Sequence, residues 1–215
     1  MTPEIRKEAS ELRLHKRGIR INLQLPVIES EDEIVLRPAL QVWQRMQALY
    51  QVWQVLEGDL NRSQVQSSGI AATASFAERQ FLLSAEYPLS SDISDVGEAL
   101  YFMLWASAQQ AQINIPGQAI AASQLRLQMQ ALEAATDPVG QLQLRRKAEL
   151  LDWSDLLYRL HWAVRHAQIS GREIPGRLYV PAIQQWHKAV NWLCCYDEQD
   201  DWDNVSTETG GAAVE

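Results

Sequence analysis

Four residues of this 215-residue sequence carry side chains suited to acid–base chemistry. They are two acids, an arginine and a histidine: Glu98, Asp152, Arg159 and His161. A histidine beside an acid exchanges protons near neutral pH, and an arginine can hold a carboxylate through two parallel hydrogen bonds. If the fold gathers the four around a pocket, they are candidate catalytic residues of a small-molecule hydrolase.

Four further residues are candidates for binding at the same cluster: Asp155, His166, Trp202 and Asp203. All eight also have a simpler, structural interpretation. Polar groups between packed helices can satisfy one another and thereby fix the register of a bundle. We favour this interpretation, in which Asp203 anchors the end of the chain onto the helices.

Several familiar catalytic and metal-binding patterns are absent from the sequence. His161 and His166 are five residues apart, about 140° around a helix, whereas paired zinc ligands on a helix are four apart. There is no Cys-x-x-Cys, phosphate-binding loop, dinucleotide-binding turn or Gly-x-Ser-x-Gly elbow. We therefore predict no metal and no cofactor. A cysteine nucleophile at Cys194 or Cys195, assisted by His187, is a weaker alternative.

Most of the candidate residues lie on one helix, predicted at about residues 143–169. Large apolar residues form one stripe along it: Trp153, Leu156, Leu157, Leu160, Ala163, Val164 and Ala167. A second, narrower stripe lies nearly opposite: Leu144, Leu151, Tyr158, Trp162 and Ile169. A surface helix needs only one apolar face, so this helix should be packed on both sides. Asp152, Asp155, Arg159 and His166 form a polar seam between the stripes.

The rest of the chain also has helical periodicity, over about residues 4–17, 38–57, 91–110 and 118–134, and from Pro181 onward. Ser75-Phe76-Ala77-Glu78 matches a capping box and predicts another helix start. The predicted fold is all-α: a single-domain irregular helical bundle around the helix at residues 143–169. We expect the domain to span residues 1–205 and residues 206–215 to be a flexible tail.

Composition and charge limit the class of protein, its possible partners and its compartment. Hydrophobic residues make up 47% of the chain and charged residues 21%, as in globular proteins. The net charge of −8 is concentrated after Lys188, where seven acids follow without a lysine or arginine. Such a chain has no basic surface for nucleic acid and no membrane span. The adjacent cysteines are poorly placed to bridge each other, which favours a cytoplasmic protein.

Three stretches together resemble the bacterial family grouped as domain of unknown function 4272. They are residues 98–106, residues 150–163, and residues 187–193 followed by Trp202-Asp203; the segment from Arg20 to Arg37 is also similar to that family's start. The chain departs from the family pattern at Gln185-Trp186-His187, where Glu-Arg-His is usual, and at Glu208-Thr209, where Asp-Thr is usual. The family has no established activity, so the resemblance implies the fold and the choice of polar residues but no reaction.

Two functions remain open on the sequence alone. The one we favour is a non-catalytic protein-interaction module that uses its acidic C-terminal region to bind a basic protein partner. The alternative is the hydrolase built on the acid, arginine and histidine candidates. The sequence does not decide the oligomeric state.

Overall fold

The computed structural model of the protein describes residues 1–209, which form ten α-helices and no strand. Three short 3-10 turns lie between or after them, at Pro175–Arg177, Tyr196–Glu198 and Trp202–Asn204. The all-α prediction is confirmed. The helices are α1 (Pro3–His15), α2 (Ala39–Glu57), α3 (Arg62–Ser68), α4 (Phe76–Leu83), α5 (Ser91–Ser94), α6 (Val96–Ala106), α7 (Ala122–Glu133), α8 (Pro138–Gln141), α9 (Lys147–Ile169) and α10 (Val180–Leu193).

Local chemistry explains where these helices start and stop. The Ser75 hydroxyl accepts from the backbone N–H of Glu78, and the Glu78 carboxylate accepts from the N–H of Ser75, so the predicted capping box opens α4. Asn61 and Gln64 form a second capping box at the start of α3, a helix that was not predicted from the sequence. Gly58 ends α2 in the left-handed conformation with a φ of 78°.

Three predicted helices have wrong boundaries. The helix expected over residues 118–134 begins at Ala122. The helix expected over residues 91–110 is divided at Asp95 into α5 and α6 and ends at Ala106. The central helix begins at Lys147 rather than near 143, because the chain before it runs along the end of α6. There, the Arg145 backbone N–H donates to the carbonyl of Ala106 at 2.8 Å, and its guanidinium donates to the carbonyl of Trp105 at 2.8 Å. These bonds satisfy helix-end carbonyls that would otherwise lack partners.

The central helix α9 is packed on two sides, as predicted, with α10 against one side and α1 against another. In turn, α6 packs against α10 and α2. Of the predicted second stripe, Leu151 and Trp162 are buried, whereas Ile169 is exposed and Leu144 precedes the helix. The core therefore forms around α6, α9 and α10, and the polar residues of α9 lie between its packed faces.

Trp186 of α10 lies at the centre of an aromatic cluster. Its ring centroid is 5.8 Å from that of Trp153 on α9 and 5.7 Å from that of Phe102 on α6. Such tilted and edge-to-face pairs add to the energy of apolar burial. No helix within residues 1–209 is both long and apolar enough to cross a membrane.

Candidate functional site

The candidates Asp155 and Arg159 pair with each other inside the protein. Arg159 donates from Nε to Asp155 Oδ2 at 2.9 Å and from Nη2 to Asp155 Oδ1 at 2.8 Å. Its remaining donors reach Glu11 Oε1 at 3.4 Å and the carbonyl of Pro26 at 3.1 Å. We call Arg159, Asp155 and Glu11 the Arg159 seam. Asp155 is 0% and Arg159 2% exposed, so the pair is buried. Through its bonds to Glu11 and Pro26, Arg159 joins α9 to α1 and to the connector of residues 20–37, which precedes α2.

The candidate Asp152 lies one turn earlier on α9, at the edge of the same interface. Its Oδ1 accepts from Arg6 Nε of α1 at 2.8 Å, while the Asp152 side chain is 47% exposed. Arg6 itself is buried, so this ion pair compensates a charge held between α1 and α9.

The candidate Glu98 is buried at the start of α6, away from the Arg159 seam. Its Oε1 accepts from the backbone N–H of Ile120 at 2.9 Å. Burial raises the pKa of Glu98, although the hydrogen bond from Ile120 opposes this shift. Glu98 therefore fixes the loop before α7 onto α6.

The candidate His161 pairs with His187, which the sequence suggested as the residue that would assist a cysteine nucleophile. Their Nδ1 atoms are 3.0 Å apart, and both rings are buried. Burial, assisted by the positive charge of Arg165, lowers the pKa of His161 to about 4. Burial, assisted by His161, lowers the pKa of His187 to about 3. Both imidazoles are therefore neutral at pH 7, and one Nδ1–H donates to the other ring.

The remaining candidates occupy other places again. His166 stacks on Trp162 near the end of α9, with ring centroids 4.9 Å apart. Trp202 is buried under Arg45 and Lys188, and Asp203 Oδ2 accepts from the backbone N–H of Ala77 at 2.9 Å. Asp203 thus holds the end of the chain against α4, as the structural interpretation expected.

The eight predicted residues therefore do not form one cluster. Asp155 and Arg159 bind each other, and Asp152 lies at the edge of the same interface. The remaining five lie elsewhere: Glu98, His161, His166, Trp202 and Asp203. Whether any of the eight acts in function stays a prediction.

A different part of the molecule holds a pronounced concavity, which we call the acidic groove. It consists of two adjoining cavities of about 350 Å³ and 290 Å³ that share Glu29, Ser154, Asn191 and Tyr196. The connector before α2, one face of α9, α10 and the turn after α10 form its walls. Its other lining residues are Pro26, Val27, Ile28, Glu33, Ile34, Leu151, Tyr158, His187, Cys194, Cys195, Asp197, Glu198 and Glu208.

The charge of this groove has one sign. Among the described residues, five carboxylates line it and no lysine or arginine does: Glu29, Glu33, Asp197, Glu198 and Glu208. Burial raises the pKa of Tyr196, and the negative charges of Glu29, Asp197 and Glu208 raise it further. The nearby Lys147 donates instead to the carbonyls of Glu31 and Ile34, at 2.9 and 2.7 Å.

The five carboxylates are spread along the groove rather than gathered around one point. Within residues 1–209, no three His, Cys, Asp or Glu side chains are close enough to hold a metal ion together.

The floor of the groove is polar and buried. Ser154, His187 and Asn191 are 8%, 3% and 6% exposed and line the smaller cavity. The amide Nδ2 of Asn191 donates to the carbonyl of Ser206 at 2.9 Å, which places the chain end beside the groove. Thr209 is also buried, so residues 206–209 of the predicted tail lie against the domain, and residues 210–215 are outside the described part.

The turn after α10, residues 195–198, forms one rim of the groove and has an unfavourable backbone conformation. Cys195, Asp197 and Glu198 have φ values of 50°, 56° and 51°, in the left-handed region that non-glycine residues seldom occupy. Backbone strain of this kind persists where surrounding structure enforces it, and it is concentrated at functional sites.

The cysteines of the groove are free thiols. Burial raises the pKa of Cys194 to about 12, and the neighbouring Cys195 and Glu29 add to the shift. A thiol with this pKa stays protonated at pH 7 and is a poor nucleophile, which argues against the cysteine-nucleophile alternative at Cys194.

Comparison with known proteins gives a family. A model described as a domain of unknown function (DUF4272) matches residues 6–205. The chain belongs to this family. No curated protein and no solved structure matches it.

Most residues that line the acidic groove of this DUF4272 chain were not predicted from the sequence. The predicted site residues did not include Glu29, Ser154, Tyr158, Asn191 or Tyr196. Two signals were available: the acidic residues after Lys188, three of which line the groove, and the spacing of His187 and Asn191 one helical turn apart on α10. The other residues meet through tertiary packing. The family departure at Trp186 belongs to the aromatic core and lies outside the groove lining.

Proposed function

We propose that this DUF4272 protein is a non-catalytic interaction module that holds a basic segment of a protein partner in the acidic groove. The observation that carries the proposal is the one-sided charge of the groove, with five carboxylates and no cation among its described lining residues. A partner segment rich in lysine and arginine would supply the missing charges, and a cytoplasmic setting belongs to the same proposal.

The shape of the groove also fits an extended segment. Its two adjoining cavities provide consecutive depressions, and the tyrosines 158 and 196 line the walls. Aromatic faces attract ammonium and guanidinium groups, and more strongly so where water is excluded. Opposite charges at an interface speed association and select partners.

The hydrolase alternative has no comparable support. Glu98, Asp152 and His161 lie at separate interfaces, and the Arg159 guanidinium is occupied by Asp155, Glu11 and Pro26. A reaction would require these groups to converge on one substrate.

Fluorescence anisotropy with a labelled arginine-rich dodecapeptide tests the proposal. We expect saturable binding to the full chain that weakens steeply between 50 and 500 mM salt, since exposed charges are screened over about 10 Å at 0.1 M. The triple substitution Glu29→Gln/Glu198→Gln/Glu208→Gln should raise Kd about tenfold, because three partly exposed ion pairs of about 0.5 kcal/mol each are removed.

A matched triple variant controls for total charge. Glu57, Glu86 and Glu173 are exposed and lie outside the groove. Glu57→Gln/Glu86→Gln/Glu173→Gln changes the net charge equally and should leave Kd within about twofold. Equal weakening by both triple variants would mean that the peptide senses only the net charge of −8, and the proposed site would be wrong.

A further inference from the structure

The smaller cavity of the acidic groove has a floor of three buried polar side chains that keep free hydrogen-bonding atoms. Among residues 1–209, the hydroxyl of Ser154, Oδ1 of Asn191 and Nε2 of His187 have no hydrogen-bonding partner. None of the three is among the fully buried side-chain atoms that lack a partner, so each is accessible from the cavity that it lines. Three such polar groups on one cavity floor are available to a ligand.

The histidine pair determines what His187 can offer. Its Nδ1 is 3.0 Å from Nδ1 of His161, so one of these two atoms must carry the shared proton. If His187 carries it, its Nε2 is an acceptor facing the cavity; if His161 carries it, His187 Nε2–H is a donor. The pair therefore has two tautomeric states of opposite hydrogen-bonding sense, and a ligand can select between them.

The surroundings of the pair favour a cationic donor. Glu29 and Glu208 line the same cavity, and the Tyr158 ring centroid is 6.2 Å from that of His187. Arg165, whose positive charge helps to lower the pKa of His161, does not line the cavity. A volume of about 290 Å³ is at the lower limit of ligand pockets, so it accommodates a head group rather than a large molecule.

We propose that the smaller cavity is a recognition pocket for one guanidinium or ammonium head, which donates hydrogen bonds to Ser154, His187 and Asn191 while Glu29 and Glu208 balance its charge. The inference rests on the proposed function and deepens it by naming the group that is recognised. Binding fixes the shared proton on Nδ1 of His187, so that Nε2 of His187 accepts from the ligand and Nε2 of His161 carries a proton.

Nitrogen NMR of the histidine side chains tests the pocket, with ethylguanidinium as the probe and N-ethylurea as its neutral isostere. We expect ethylguanidinium to bind saturably and to shift the His187 Nε2 resonance toward that of an unprotonated, hydrogen-bonded nitrogen. N-ethylurea should bind at least tenfold more weakly, because the carboxylates contribute only for a cation. Equal binding of the two probes would overturn the proposal, as would saturable binding that leaves the His187 resonances unchanged.

The variant Ser154→Ala removes one acceptor and should weaken ethylguanidinium binding by about tenfold, the usual effect of losing a hydrogen bond to a charged group. Ser107→Ala is the matched control, because Ser107 is also a buried serine but caps the end of α6, bonds the carbonyl of Met103 and does not line the groove. Both variants should keep the wild-type circular dichroism. Unchanged affinity in a folded Ser154→Ala protein would contradict the assignment of the floor.

The dodecapeptide and ethylguanidinium separate the two proposals. If the peptide binds through the groove carboxylates while ethylguanidinium leaves His187 unchanged, the pocket is wrong and the interaction module stands. If ethylguanidinium binds with the expected His187 shift while the peptide does not bind, the pocket stands for a free amine or guanidine and the interaction module is wrong.

Discussion

Ser154 and Asp155 are consecutive residues of α9, yet Ser154 lines the acidic groove and Asp155 belongs to the Arg159 seam. In the seam, each charge is buried beside an opposite charge and its hydrogen-bonding atoms are occupied. In the groove, five carboxylates from three segments lie without a cation among the described lining residues, two of them on a strained turn, over a floor of polar side chains. The seam uses polarity to fix packing, whereas the groove keeps charges that the fold leaves uncompensated. Such local conflicts are typical of functional sites.

The largest effect that the comparison predicts is on the stability of the seam. Arg159→Ala should lower the free energy of unfolding by about 3–5 kcal/mol, because it leaves the buried carboxylate of Asp155 without its partner. Urea denaturation monitored by tryptophan fluorescence measures this change.

A double variant distinguishes an unpaired charge from lost packing. Asp155→Leu/Arg159→Met replaces both partners by apolar side chains and should recover most of the stability, since a buried ion pair contributes little over a packed apolar pair. A loss below about 0.5 kcal/mol in Arg159→Ala would mean that the seam is hydrated, and the contrast with the groove would disappear.

Helical periodicity was sufficient to predict the fold class because local patterns encode it. The apolar stripes of α2, α9 and α10 and the capping box at Ser75 all depend on residues within a few turns of one another. The boundary at Lys147 was missed because it depends on Arg145 bonding carbonyls of α6, about forty residues earlier in the chain.

The site was less predictable because its residues come from four separate segments. The sequence showed charges on α9 but gave no means of knowing that Arg159 would be taken by Glu11 and Pro26. It also showed acids at residue 29 and after residue 196, without the turn that brings them together. The acidic residues after Lys188 were predicted to bind a partner, but only tertiary packing shows that Glu29 and Glu33 join three of them in one groove.

The next largest predicted effect is a dependence of the free energy of unfolding on pH, which arises from the buried pair His161 and His187. The unfolded chain binds protons at His161 and His187 below about pH 6.5, whereas burial lowers the pKa values in the folded protein to about 4 and about 3. The stability is therefore complete above pH 6.5 and is lost as the pH falls. Between pH 7.5 and 5.5 we expect a loss of about 2–3 kcal/mol in urea denaturation, or about 1.4 kcal/mol for each histidine.

Single histidine variants assign this loss. His187→Gln should remove about half of the difference between the two pH values, while His15→Gln, at an exposed position, should leave it unchanged. The pKa of Glu98 is raised by burial, so its protonation acts in the opposite direction and Glu98→Gln corrects for it. Equal stability at both pH values in Glu98→Gln would mean that the histidine pair is open to water.

The smallest effect has the opposite sign and concerns the groove. Asp197 is exposed at a φ of 56°, so Asp197→Gly should stabilise the protein by about 0.5–1 kcal/mol. The relief of left-handed strain, about 1–3 kcal/mol, exceeds the extra conformational entropy that glycine loses on folding, about 0.5–1 kcal/mol.

The same variant should weaken peptide binding, because it removes a carboxylate and loosens the rim. Asp197→Asn removes the charge without freeing the backbone, so it should weaken binding with little gain in stability. If Asp197→Gly instead destabilised the protein, tertiary packing would stabilise the conformation of this turn, as it does in the seam. The seam and the groove would then differ only in exposure.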